Sequence, residues 1–293
     1  QVLQHQALLD DPCVQSTLAT MVMYAMTNLQ YQAVYNTLSF ALASMMATTM
    51  YLWLRTRAVS DKFQSATIIS GLVTFIAAYH YFRIFNSWVE AYHFPAVGEG
   101  GAIRDPILTG IPFNDAYRYM DWLLTVPLLL LEILLVMDLE ESKFKCKAWA
   151  LGFGAALMIV SGYYGELIVT GDLGPRWNCW GLSMVFFLYI VYELIVGLSE
   201  ATNKESPAVA GKIRTAQILT VLSWCTYPVV YLFPMFGISA ATSVVSIQLG
   251  YCVSDIISKC GVGLVIYQIG KAKSEKGDAL LGPSGPSGAK TYP

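Results

Sequence analysis

The chain has 293 residues, of which 55% are hydrophobic and 13% charged, about half the roughly 25% charged share of an ordinary soluble domain. Mean hydropathy is +0.51 and the formal net charge is −2, which excludes a disordered chain, a collagen-like chain and a nucleic-acid binder with a basic face. With 7 Trp, 18 Tyr and 13 Phe, the composition is that of a polytopic membrane protein with room for several spans of about 20 residues. The expected surroundings are a lipid bilayer, and no nucleic-acid partner is expected. The six Cys, at 13, 146, 179, 225, 252 and 260, form no CxxC; they read as small buried hydrophobes rather than a disulfide or zinc framework.

Apolar stretches separated by polar punctuation predict seven transmembrane helices, an all-α membrane bundle. The spans are 31–54, 62–88, 113–137, 147–169, 177–199, 208–233 and 240–269. Ser60 and Asp61 make a suitable N-cap for the second span, and Pro207 suits the first turn of the sixth. Residues 1–15 read as an outer polar tail, 16–272 as the helical domain, and 273–293, with its GPSGPSGAK string, as a disordered cytoplasmic tail. The chain opens with Gln rather than Met, as removal of a leader would leave it. The 89–112 connection, rich in Gly and Pro, has room for a short β-hairpin. Thirteen of the 18 Lys and Arg lie in or flank the first, third and fifth links or follow the last span. By the positive-inside rule those links and the C-terminus face the cytoplasm and the N-terminus lies outside, which an odd number of spans requires.

Ionisable side chains within a bilayer are costly and are candidates for function. Asp255 and Lys259, at i and i+4 on the seventh span, share a helix face. They suit either an intrahelical ion pair lining a cavity or a desolvated lysine that carries a covalent adduct. On the third span Asp121 and Glu132 are 11 residues apart; that is almost three turns, one face, and roughly 16 Å along the axis. Arg118 lies a turn outward of Asp121, and Pro127 between the carboxylates frees a backbone carbonyl. Asp121 beside Arg118 is expected to stay ionised, and Glu132 in its apolar run to hold its proton. One carboxylate could then accept a proton from a central cation and the other return one; the other reading is a set of inward polar groups that satisfy one another.

The string Arg118-Tyr119-Met120-Asp121-Trp122 with Thr125, Pro127 and Glu132, the pair Asp255…Lys259, and Trp224-Cys225-Thr226-Tyr227-Pro228 stand in order on three spans. Over about 20–270 the chain resembles the microbial (type 1) rhodopsins, most closely the proteorhodopsin and xanthorhodopsin-like proton pumps. The resemblance implies a light-driven outward proton pump, a transporter rather than an enzyme, with all-trans retinal held by Lys259 as a protonated Schiff base. It implies that Asp121 is the counterion and proton acceptor, Glu132 the cytoplasmic donor, Asp255 the second counterion, Arg118 the arginine partner and Thr125 the threonine one turn from the acceptor. His80 matches a histidine that pairs with Asp121, and Tyr81 and Tyr227 match tyrosines that hydrogen-bond Asp255. Trp122 and Trp224 match the tryptophans that sandwich the polyene. Leu129, Met158, Gly162, Ser183, Phe187, Pro228 and Tyr231 complete the pocket, and leucine at 129 implies green absorption.

The resemblance has departures. No Asp or Glu lies in 229–254, where archaeal pumps carry a pair of release glutamates; Glu90, Glu99 and Glu166 are the weak outer candidates. Trp180 fills the place of the glycine over which some relatives seat a carotenoid, so no antenna is expected. Relatives form pentamers or hexamers, which implies a homo-oligomer with His80 near the contact. The plasma membrane is the expected location, with an endomembrane as the other. The competing function is a sensory photoreceptor that signals through a partner; the donor carboxyl at 132 argues against it. A G-protein-coupled receptor is disfavoured by the absence of a DRY string at the inner end of the third span and of any Asn-x-Ser/Thr site.

Overall fold

The computed structural model describes residues 25–95, 104–137, 139–168 and 172–281. The expected tail over 1–15, Glu99 and the last twelve residues lie outside the described residues. Among the described residues seven helical rods run in chain order. They are α1 (Asn28–Arg55), α2 (Asp61–Ala91), α3 (Ala116–Leu135), α4 (Glu141–Glu166), α5 (Gly174–Asn203), α6 (Pro207–Trp224, continued by Thr226–Tyr231) and α7 (Ala240–Asp255, a widened turn Ile256–Gly261, then Val262–Leu281). The helix of α7 runs to Leu281, past the end of the bundle expected at 272.

Local chemistry sets the ends. Thr27 and Gln30 form a reciprocal capping box at the start of α1. Ser60 is the N-cap residue of α2, but its side chain does not cap; its backbone N–H donates to Ser274 Oγ at 2.8 Å, which ties α2 to α7. Pro207 opens α6 as expected. Further along, Pro228 has no N–H to give to the Trp224 carbonyl, and α6 is interrupted at Cys225. Pro127 is accommodated inside an unbroken α3. Between α2 and α3 two short strands, β1 (Tyr92–His93) and β2 (Ile107–Leu108), pair antiparallel with Tyr92 opposite Leu108, the hairpin for which the 89–112 connection has room.

Consecutive rods pack side by side from α1 to α5, and α7 closes the bundle by touching α1, α2 and α6. Its interior is apolar, with Leu38, Met45, Val73, Leu129, Ala155, Ile190, Ile213 and Ile266 buried, and its exterior is apolar too: Phe40, Leu54, Phe75, Phe153, Leu182 and Leu222 are exposed. Apolar groups inside and out are what a lipid solvent demands. Among the described residues, five rods are long and apolar enough to cross a membrane. The other two fall short for local reasons: α3 carries Arg118, Asp121 and Glu132 within 20 residues, and α6 is broken at Cys225.

Candidate functional site

The charged residues of α3 and α7 meet in the bundle. Within the widened turn of α7 lies Lys259, 1% exposed. Its Nζ donates to Asp121 Oδ2 and lies 3.3 Å from Asp255 Oδ1. The amine thus sits between two carboxylates from different helices, and both arms of the expected relationship are present: an intrahelical contact at i, i+4 and a cross-helix one.

The two carboxylates differ in their surroundings. Asp255 is held by three further donors: Tyr227 at 2.5 Å, Tyr81 at 2.8 Å and Trp122 Nε1 at 3.3 Å. That many donors suit a fixed anion. Asp121 has one oxygen on Lys259, while its Oδ1 is buried without a partner. Thr125 donates to the Asp121 backbone carbonyl at 2.9 Å, not to the carboxylate. His80 is half-buried, and its Nδ1 likewise has no partner, so the hydrogen bond expected between His80 and Asp121 is not formed here. Arg118 does not pair with Asp121 either. Its guanidinium reaches Asp115 (2.8 Å), Gln248 (2.6 Å), Tyr81 (3.0 Å) and, at 4.0 Å, Asp255.

Three turns inward on α3, Glu132 is fully buried and neither of its oxygens has a partner. Its flanks Leu130, Ile133 and Leu134 are about as buried. Its polar neighbour is Ser70, whose hydroxyl donates to Ala66 O at 3.1 Å. An unpaired charge buried in such a place is costly.

A narrow cavity runs from Lys259 between α3, α4, α5 and α6. Trp122, Leu129, Met158, Gly162, Ser183 and Phe187 line it, as do Trp224, Tyr227, Pro228 and Tyr231. Every pocket residue expected from the sequence is there except Tyr81, which lies against Asp255. Tyr119, Tyr251 and Trp180 also line the cavity and were not anticipated. Trp180 turns inward, its Nε1 donating to Pro228 O at 3.2 Å. The donor set fits retinal: one buried primary amine at the end of an aromatic slot, flanked by two carboxylates, one of which has an oxygen to spare.

The model of the bacteriorhodopsin-like protein family matches residues 32–272. The chain belongs to this family. It is 30% identical over 237 residues to a green-light absorbing proteorhodopsin of Gamma-proteobacterium EBAC31A08, covering 79% of this chain and 84% of that protein. Bacteriorhodopsin of Halobacterium salinarum is 31% identical over 235 residues, covering 79% and 81%. The solved structure of xanthorhodopsin, described as a light-driven ion pump with dual chromophore, superposes with a TM-score of 0.80 at 40% identity, covering 87% of this chain and 99% of that one. This microbial rhodopsin is therefore a multi-pass membrane protein and a transporter rather than an enzyme.

The residues missed from sequence are chiefly Asp115 and Gln248. Asp115 lies one turn before Arg118, but an aspartate at the start of a helix reads as a cap. Gln248 is one more polar residue in an apolar span, and only the fold brings it 2.7 Å from Asp115 Oδ2.

Proposed function

We propose that this rhodopsin is a light-driven proton pump that moves protons outward, with Lys259 as the retinal attachment site, Asp121 as proton acceptor and Glu132 as cytoplasmic donor. The observation that carries the reading is the Lys259 amine held between Asp121 and Asp255 at the end of the aromatic cavity, with a second, isolated carboxyl inward on the same helix. Retinal, held covalently by Lys259, would supply light absorption and a light-driven change of shape. The protein's own groups do the rest. Asp121 offers Oδ1 as the landing place for the proton that the Lys259 nitrogen gives up. Asp255, held by Tyr227, Tyr81 and Trp122, keeps the Lys259 nitrogen in place between the two carboxylates. Glu132 keeps a proton in an apolar wall until the nitrogen can take it, and refills from the cytoplasm. Asp121 and Glu132 therefore serve opposite sides of one nitrogen, and direction requires that the nitrogen face one and then the other.

The clustering of Lys and Arg supports an orientation with the links after α1, α3 and α5 on the cytoplasmic side. The plasma membrane is the proposed location, where exported protons charge the cell boundary. A buried leucine at 129 against the cavity supports green absorption, and the Trp180 indole filling its wall supports a single chromophore without a carotenoid. Thr125 supports Asp121 through its backbone carbonyl, and Arg118 acts as its outer electrostatic partner. Assembly as a pentamer or hexamer is tested by the mass of the detergent-solubilised pigment.

The reading is tested by time-resolved infrared spectroscopy of the retinal-loaded protein. A protonated-carboxyl band should rise as the Lys259 nitrogen loses its proton, and it should be absent in Asp121→Asn. Persistence of that band in the variant would remove Asp121 from the acceptor role.

A further inference from the structure

We propose that Asp115 is the proton-exit carboxylate of this pump: the group that takes up the outgoing proton after Asp121 and delivers it to the outer surface. The inference rests on the outward-pump reading and deepens it. No acidic residue lies in 229–254, and among the described acidic residues Asp115 is the one bonded directly to Arg118 on the side away from Lys259.

Asp115 occupies the N-cap position of α3, where an aspartate ordinarily accepts from the free backbone N–H groups of the first turn. It makes no such cap. Asn114 does that work, its Oδ1 accepting from the Ala116 N–H at 3.0 Å. The Asp115 carboxylate is turned instead into the bundle, where Oδ1 accepts from Arg118 Nε at 2.8 Å and Oδ2 from Gln248 Nε2 at 2.7 Å. Gln248 Oε1 in turn accepts from Arg118 Nη2 at 2.6 Å. The other end of the same guanidinium meets the Tyr81 hydroxyl, which donates to Asp255. Arg118 is 1% exposed, whereas the Asp115 side chain is 31% exposed. One buried cation thus bridges the carboxylates around Lys259 to a carboxylate in reach of outside water. The other ionisable groups that Asp115 feels are Asp255 and Tyr251 on α7 and Glu166 on α4.

This geometry gives a charge-coupled exit. While Asp121 is ionised, two negative groups lie inward of Arg118. When Asp121 is protonated, the inward pull on the guanidinium weakens and its charge is shared more with Asp115. When the bundle resets, the O–H bond on Asp121 breaks, the proton passes through water admitted from the outer surface, and an O–H bond forms on Asp115. That bond then breaks to the medium and the Asp115 carboxylate is restored. Arg118 carries charge and never the proton, because a guanidinium is not deprotonated in proteins. Partly exposed at the outer end of α3, Asp115 passes the proton on to the medium.

The test follows a flash on the retinal-loaded full chain with a pH-indicator dye in the medium and the infrared carbonyl region recorded together. In the wild type, dye protonation should coincide with the loss of the Asp121 carbonyl band. In Asp115→Asn, it should lag that loss by tenfold or more, and Asp115→Glu should restore most of the coincidence. Unchanged coincidence in Asp115→Asn overturns the proposal while leaving the pump reading intact. A lag in Glu166→Gln rather than in Asp115→Asn moves the exit to Glu166 and also overturns it. If the asparagine variant fails to form pigment, the wild type and Asp115→Glu decide: a short-lived second carbonyl band that shifts between the two supports Asp115, and its absence sinks the assignment. A wild type with no light-driven dye signal removes the pump reading and this proposal together.

Discussion

Replacing Glu132 by leucine is expected to make the protein more stable and the pump far slower. The carboxyl is fully buried with no well-formed hydrogen bond to either oxygen, and the Ser70 hydroxyl, its polar neighbour, donates to Ala66 O. A buried polar group without a hydrogen bond costs about 1–3 kcal/mol, so a leucine of similar reach, set among Leu130, Ile133 and Leu134, should recover about 1–2 kcal/mol of that. The same change removes the one ionisable side chain in the inner half of α3. A positioned acid contributes typically 10²–10⁴ in rate, so return of the proton to the Lys259 nitrogen should slow by about 10²-fold or more at neutral pH. With no internal donor the residual rate should follow the bulk proton concentration, roughly tenfold per pH unit. Glu132→Gln, which keeps the shape, should show the same kinetic loss without the gain in stability. Thermal bleaching of the pigment reads the first effect, and flash spectroscopy at several pH values reads the second. Turnover that stays fast and insensitive to pH in both variants, with stability lowered in the leucine one, would refute the donor assignment and leave Glu132 as a structural group.

Three further outcomes follow from the cavity and the packing. Lys259→Ala should give a chain that folds but yields no covalent, borohydride-stable retinal adduct; an adduct mapped by mass spectrometry to another lysine would move the attachment site. Leu129→Gln puts a polar group worth about 1 kcal/mol beside the polyene, which corresponds to a blue shift of roughly 10 nm; an unshifted or red-shifted band would contradict the colour argument. At Gly250, an added Cβ would lie 3.0 Å from Val230 Cγ1 and 3.4 Å from Thr226 Cγ2, so Gly250→Ala should loosen the α6–α7 contact by about 1 kcal/mol, seen as earlier thermal loss of colour; an unchanged bleaching temperature would show that α6 gives way freely at its break.

Much of the site was legible because ionisable residues in apolar spans are few and their spacing on a helix is fixed. Asp121, Glu132, Asp255 and Lys259 could be assigned to faces from helical geometry alone, and the resemblance turned Trp122, Trp224 and Tyr227 into pocket walls. Contacts set by relations between helices were not legible. Helical spacing places Arg118 near Asp121, yet the guanidinium turns outward to Asp115 and Gln248, because the partners that decide its direction sit on another helix. His80 shares the half-buried face of α2 but makes no bond to Asp121. The widening of α7 at Ile256–Gly261 leaves no mark in the pattern of side chains, since it changes backbone hydrogen-bond register rather than polarity. Chain ends shifted for ordinary reasons: α3 starts at Ala116 rather than 113 because Asn114 caps it, and the helix of α7 continues beyond its apolar stretch through a polar segment.

The most direct test of the pump is the light-driven pH change of a suspension of cells that express the protein and are supplied with all-trans retinal, measured with and without a protonophore. The account predicts that illumination acidifies the medium and that the protonophore abolishes the change. A coloured protein in cells whose medium stays flat, or turns alkaline with no protonophore present, would contradict it.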